Sequence, residues 1–299
     1  LLKRKIQALL LALMMTVFTQ GSVFANVSYL GPAGTYTEEA AIKYFGEKEQ
    51  LLPFTTVAEA VEQVLTGKTE YAVVPIENTI GGPVYSYLDL IMETQNLIIV
   101  GEITLPIRQT LLALPGSKLS DIKTVLSHPQ GITQSTSWLK NNLPDTKVVV
   151  VSSTAEGAKK VAEGRNKSVA AIAASRNSRV YNLDILANDL QGTYNNATRF
   201  WVVTTPDRAL HTGNKASLVV TGDIEKLPKL LGDFDQRNLK LVTIHDRPTK
   251  TKFGEYIFLV EVTTKSTRNA LLSKLARVAK DQQDSFSIRV LGIYNESTN

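Results

Sequence analysis

From Asn26 onward, short apolar runs alternate with amphipathic stretches. Val27 to Leu30 reads as a strand, a Gly/Pro loop follows, and Thr37 to Phe45 has helical spacing. Further strands are predicted at Tyr71 to Pro75, Leu97 to Thr104, Gln109 to Leu114, Thr124 to Ser127, Lys147 to Val151, Val169 to Ala174 and Phe200 to Thr204. Helices are predicted between them at Val57 to Leu65, Tyr87 to Glu93, Ile132 to Asn141, Thr154 to Glu163 and Ser175 to Tyr181. This alternation is the signature of an α/β fold. The segment Pro206 to Gly213 is turn-rich and polar, which puts a domain boundary near residue 210. Beyond it come strand (Ala216 to Thr221), helix (Glu225 to Arg237), strand (Leu239 to Asp246), strand (Glu255 to Thr263), helix (Thr267 to Asp281) and strand (Ser285 to Tyr294). That order, βαββαβ, is the ferredoxin-like pattern.

The first 25 residues differ in kind. Lys3-Arg4-Lys5 precedes an apolar run from Ala8 to Phe18, and Val23 and Ala25 supply small or short apolar residues for a peptidase. This predicts a secretory signal peptide cleaved after Ala25, with export most simply to a bacterial periplasm. The 11-residue apolar run is short of the roughly 20 needed to span a bilayer, so no membrane association is expected once it is removed. Cleavage takes away three basic residues and leaves 30 Lys+Arg against 28 Asp+Glu. With no basic run beside aromatics, nucleic-acid binding is not expected. Zero cysteines exclude disulfides and thiol nucleophiles, and His128, His211 and His245 are too scattered to suggest a metal site, so none is expected. Gly67-Lys68-Thr69 fails as a phosphate loop because Glu62 stands where a glycine belongs, and no dinucleotide fingerprint is present. No cofactor is expected; the partner class left is a small molecule.

Four polar clusters sit at predicted strand ends, where α/β folds place ligands. In Leu30-Gly-Pro-Ala-Gly-Thr-Tyr-Thr37, Thr35 and Glu38 have capping-box spacing at a helix start whose backbone amides can hold an anion. Pro75-Ile-Glu-Asn-Thr79 runs into Gly81-Gly82, and Ser127-His-Pro-Gln130 precedes a helix that Ser127 is positioned to cap. In Asn196-Ala-Thr-Arg-Phe200, Arg199 is suited to a carboxylate and Thr198 to hydroxyl donation, with Asn196 orienting either. Each cluster alone is equally compatible with a structural turn.

Together, in this order, the clusters resemble the prephenate dehydratase family, and the resemblance covers nearly the whole chain after the leader. It implies a catalytic region (26–207) of two lobes, roughly 26–104 plus 190–207 and 105–189, similar to a type II periplasmic binding protein. The tail (214–296) is similar to an ACT regulatory domain: Asn238-Leu239 precedes His245-Asp246-Arg247-Pro248, where the family usually reads Glu-Ser-Arg-Pro. The resemblance implies conversion of prephenate to phenylpyruvate with loss of water and carbon dioxide, with arogenate a second candidate substrate. The family's essential threonine falls on Thr198.

On this reading Thr198 is the oriented donor to the leaving oxygen and Glu77 a proton source, while Thr35, Asn78, Thr79, Ser127, His128, Gln130, Asn196, Arg199 and Phe200 contact substrate. Asn238, Leu239, His245, Asp246, Arg247 and Pro248 would form a phenylalanine effector site, and paired tail sheets would give a homodimer or homotetramer. Gln109 stands where the family commonly has histidine, and Gly192 where aspartate is usual. An exported solute-binding protein would share the leader and the cleft, and a non-catalytic aromatic amino-acid sensor would share the tail.

Overall fold

The computed structural model describes residues 25–192, 195–249, 251 and 253–297; the expected signal peptide, apart from Ala25, lies outside the described residues. Two sheets organise the chain. The smaller holds β6 (Thr110–Ala113), β7 (Thr124–Ser127), β8 (Lys147–Val150), β9 (Val169–Ala173) and β10 (Asp184–Ala187), in the order β10-β6-β9-β7-β8. The larger begins with β1 (Asn26–Leu30), β2 (Gln50–Phe54), β3 (Tyr71–Asn78), β5 (Ile98–Pro106) and β11 (Ala197–Thr204), with the two-residue β4 (Gly82–Pro83) paired to β3. It continues through the tail strands β12 (Lys215–Asp223), β13 (Lys240–Pro248), β14 (Glu255–Thr263) and β15 (Phe286–Tyr294), and the full order is β13-β14-β12-β15-β5-β11-β3-β1-β2. The tail therefore has the ferredoxin-like strand order, as its element pattern predicts.

Two strands that meet at the cleft are three residues longer than predicted. β3 runs on from Pro75 to Asn78, and β11 begins at Ala197 rather than Phe200. Besides the two-residue β4, two strands escape the sequence pattern. β2 carries Pro53, which removes a ladder donor and is tolerated because β2 is an edge; β10 is a short, half-exposed edge as well.

The helices are α1 (Tyr36–Phe45), α2 (Val57–Leu65), α3 (Tyr85–Glu93), α4 (Pro129–Asn142), α5 (Thr154–Gly164), α6 (Asn177–Val180), α7 (Leu227–Gln236) and α8 (Arg268–Asp281). None is long and apolar enough to cross a membrane. Helix starts follow local chemistry. Thr56 and Glu59 close a reciprocal capping box on α2. At α1, Thr35 Oγ1 accepts from Glu38 N, but the Glu38 carboxylate reaches Gly34 N at 2.7 Å, so the box is shifted by one residue. α4 is capped by His128, whose Nδ1 accepts from Gln130 N at 3.3 Å, and not by Ser127, whose hydroxyl donates to Ile172 O across the sheet.

The chain crosses from the first lobe to the second at Ile107–Arg108 and returns at Asn195–Asn196, and the two crossings are joined by Ile107 N donating to Asn196 O at 2.8 Å. The segment before the tail separates strands without separating cores. β15 lies parallel beside β5, and Val219, Leu259, Leu291 and Tyr294 of the tail share one apolar cluster with Val61, Leu88, Ile99 and Trp201. The seam is tight: a Cβ on Gly292 would sit 2.0 Å from Ile99 O. Gly292→Ala is expected to lower stability by about 1–3 kcal/mol, read as a drop in Tm, because the crowded atom is backbone and cannot swing aside.

The His128 cap carries a pH dependence. Burial lowers its pKa below the ordinary 6.5, so the folded chain resists the proton that the unfolded chain accepts. Its contribution is complete above about pH 6.5 and is lost as pH falls below that value. A falling Tm between pH 7 and pH 5 is expected, and His128→Asn, which keeps a capping acceptor without titrating there, should flatten that slope.

Candidate active site

The C-terminal ends of β1, β3 and β5 and the N-terminal end of β11 face the C-terminal ends of β7 and β9 across the two crossings. Asn78 is the hub of this cleft. It pairs in register with Thr198, and its Nδ2 donates to Thr198 Oγ1 at 2.9 Å and to Asn196 Oδ1 at 2.6 Å. Its Oδ1 accepts from the backbone N–H groups of Ile80 and Gly81 and, at 2.8 Å, from Gln130 Nε2 on the opposite lobe. All polar atoms of the Asn78 side chain are thus engaged, and its orientation is fixed. Because Asn78 donates to the half-buried Thr198 hydroxyl, the Thr198 hydrogen is left to point elsewhere, and no acceptor for it lies within hydrogen-bonding distance among the described residues. Asn196 Nδ2 is a buried donor without a protein partner close by. A hollow of about 290 Å³ opens beside it, lined by Arg108, Asp189, Gln191 and Asn195.

The lobes also meet around the first cluster. Asn177 Nδ2 donates to Gly34 O at 2.8 Å, the Tyr181 hydroxyl donates to Ala33 O at 2.6 Å, and Arg176 Nε approaches Glu38 at 3.4 Å. Gly34 is required here: its φ is +85°, and a Cβ would fall 2.0 Å from Asn177 Oδ1. The Tyr181 phenol is pushed up by burial and by the neighbouring Glu38, so it stays a protonated donor.

Several residues expected at the substrate lie elsewhere. Arg199 points to the face opposite Thr198, where its Nε and Nη2 donate to Glu77 at 3.1 and 2.9 Å and its Nη1 to Glu102 and Glu261. Glu77 shares that face and that pairing, so it does not reach the cleft as a proton source. Phe200 is sealed in the first lobe's core with Val27, Tyr29 and Val202. Thr35 spends its hydroxyl on Leu30 O and the helix cap. Thr79 braces the returning strand, donating to Asn195 O and accepting from Ala197 N. Ser127 is wholly buried. The cleft thus brings together Asn78, Gln130, Asn196 and Thr198, with His128 capping the helix that carries Gln130. Gln109 is buried in the second lobe, donating to Gln134 Oε1 at 3.0 Å.

The tail residues divide similarly. Asn238, with φ +54°, follows the end of α7 and is exposed, whereas Leu239 is buried in the tail core and presents no free side chain. Arg247 makes two 2.8 Å bonds to Asp89 of α3 and lies over the Tyr85 ring, against whose edge His245 also packs. Asp246 and Pro248 are exposed. Sequence reasoning missed Arg176, Asn177 and Tyr181, which sit on and beside the short helix α6 without any recognisable spacing.

The sequence profile described as prephenate dehydratase matches residues 27–208. A prephenate dehydratase of Lactococcus lactis subsp. lactis is 33% identical over 251 residues, which span 82% of this chain and 88% of that protein. A bifunctional chorismate mutase/prephenate dehydratase of Neisseria gonorrhoeae is 32% identical over 90% of this chain and 74% of its own length. Among solved structures, the prephenate dehydratase of Arthrobacter aurescens in complex with L-Phe superposes with a TM-score of 0.80 at 32% identity, covering 91% of this chain and 90% of that one. A protein described as a novel type of quorum-quenching acylase has the same fold, with a TM-score of 0.80 at 24% identity. Taken with the cleft geometry, the matching profile and relatives establish that this chain belongs to the prephenate dehydratase family.

Proposed function

We propose that the cleft converts prephenate to phenylpyruvate, and that Thr198 is the group that assists the leaving oxygen. In this reaction the bond between the ring and its carboxylate carbon breaks and carbon dioxide departs. The electron pair enters the ring, the C–O bond at the opposite carbon breaks, and the leaving oxygen takes a proton and becomes water. Aromatisation drives the step, so the protein has to orient the substrate and stabilise charge on the departing oxygen. The observation that carries the reading is the Thr198 hydroxyl: Asn78 holds its oxygen, and its hydrogen stays uncommitted at the cleft. Thr198 acts as an oriented donor, since a threonine hydroxyl is a weak acid on its own.

The substrate is a dianion and needs a cation. Arg199 is engaged on the far face, and we assign the anchoring of the side-chain carboxylate to Arg176, at the end of β9 beside the Gly34 loop. Asn196 Nδ2, buried and unpaired, is a further donor toward substrate. This arrangement separates an enzyme from a solute-binding protein, which would need affinity but no donor hydroxyl fixed by a fully engaged asparagine.

The tail is read as an ACT regulatory domain with phenylalanine as effector. Its βαββαβ order supports this, as does the Arthrobacter relative, whose structure contains L-Phe. Export to the periplasm is supported by the basic and apolar leader and by a chain without cysteine.

Purified protein should turn over prephenate, with arogenate as the comparison substrate. Thr198→Ala is expected to lower kcat by about 10²- to 10³-fold, the scale of a lost transition-state donor, while Thr198→Ser retains most of it. Unchanged kcat in a folded Thr198→Ala protein would remove Thr198 from the mechanism. Arg176→Gln should act mainly on KM, raising it about tenfold, if its role is to hold a carboxylate in ground and transition states alike.

A further inference from the structure

Behind the cleft lies a buried set of charges drawn from both parts of the chain. Arg199, Glu77 and Glu102 come from the catalytic region, and Lys215, Ser217, Glu261 and Tyr294 from the tail. Arg199 is bound to all three carboxylates; Lys215 Nζ is 2.7 Å from Glu102 and 3.6 Å from Glu261. Glu102, Lys215 and Glu261 are almost wholly sealed from solvent, and Arg199 nearly so, so the inner set balances two positive against two negative charges, with Glu77 at the rim. Glu261 Oε1 also accepts from the Tyr294 hydroxyl at 3.0 Å and from Ser217 Oγ at 3.1 Å. Burial works against the charge on Glu261, but the Arg199 and Lys215 cations outweigh it and hold the carboxyl below its ordinary range.

The location of this set matters more than its strength. Thr198 pairs with Asn78 and Arg199 with Glu77, and the next pair, Phe200 with Pro75, skips Ile76 at a bulge. Beyond the bulge on this ladder only those two pairs remain, while on its other side β11 pairs with β5 without a break from Ala197 to Val202, so both neighbours set its register. In that register Arg199 faces away from the cleft and Thr198 into it, one peptide unit apart. Arg199 is the neighbour of Thr198 that reaches the tail, and Glu261 of the tail is the partner it grips most closely.

We propose that Glu261 is a positioning residue for the reaction: by holding Arg199 on the outer face it fixes how the first residues of β11 lie against β3, and so places the Thr198 hydroxyl against Asn78 in the cleft. This rests on the reading of Thr198 given above. It makes the tail a participant in turnover, and any displacement of β14 reaches Thr198 through two side chains and one peptide unit.

The test is steady-state turnover of prephenate by the full chain, alongside thermal melting. Glu261→Gln removes the charge that faces Arg199. Tyr294→Phe keeps every charge and removes only the hydroxyl that steadies Glu261, so it serves where Glu261→Gln fails to fold. Leu259→Ala, in the apolar core the two parts share, loosens their contact without touching the charges. A misplaced donor costs turnover more than binding, so kcat should fall about tenfold in Glu261→Gln and about threefold in Tyr294→Phe, with KM within twofold of wild type. Leu259→Ala should lower Tm and leave kcat within twofold. The proposal is overturned if folded Glu261→Gln or, failing that, Tyr294→Phe keeps the wild-type kcat, or if Leu259→Ala reduces kcat as much as they do. A wild-type protein inactive on prephenate would instead overturn the reading of the cleft.

Discussion

A strand has two faces, so where β11 lies against β3 each successive pair looks into the cleft or away from it. Asn78 and Thr198 look in; Glu77 and Arg199 look out. This alternation ties the chemistry on one side of the sheet to the electrostatics on the other. The Thr198 hydroxyl can be held by Asn78 only while Arg199 is accommodated behind it, and a guanidinium can be buried there only because carboxylates surround it. Catalytic geometry and charge balance are then two consequences of one register.

The second lobe completes the site from across the gap. Gln130 binds the same asparagine that orients Thr198, and it does so from the first turn of a helix whose start is fixed by a neutral histidine. Asn177 and Tyr181 fasten the Gly34 loop from the same side. The lobes are therefore joined by the side-chain pairs Gln130 with Asn78 and Arg176 with Glu38, and by hydrogen bonds to backbone carbonyls of the Gly34 loop, with few long flexible side chains to order.

Much of this was legible in the sequence. Short apolar runs between amphipathic stretches and the βαββαβ order of the tail gave the layers, because strands covered on both faces, such as β11, β12 and β14, read as near-continuous apolar runs. The four clusters located the cleft, since they fall at strand ends. What could not be read was which way individual side chains point. With β11 taken to begin at Phe200 and β3 to end at Pro75, Thr198, Arg199, Glu77 and Asn78 all read as loop residues, each free to turn toward a ligand. Three more residues of strand on each side fix their faces and send Arg199 and Glu77 away. Ser127 and Phe200 were misread for a related reason: their neighbours define the motif, while their own side chains fill the interior. The charges contributed by Lys215 and Glu261 are distant in sequence and carry no local pattern at all.

The seam at Gly292 bears on how such a chain can be divided or exchanged. Because β15 covers the flank of β5, a polypeptide ending in the linker around residue 210 would leave β5 as an unpaired strand flank with Ile99 and Trp201 stripped of their apolar cover. Such a border invites strand addition from another molecule. The catalytic half is in this sense not a freestanding module, and a different tail could be grafted onto it only if it brought a strand able to approach Ile99 with no side chain in the way.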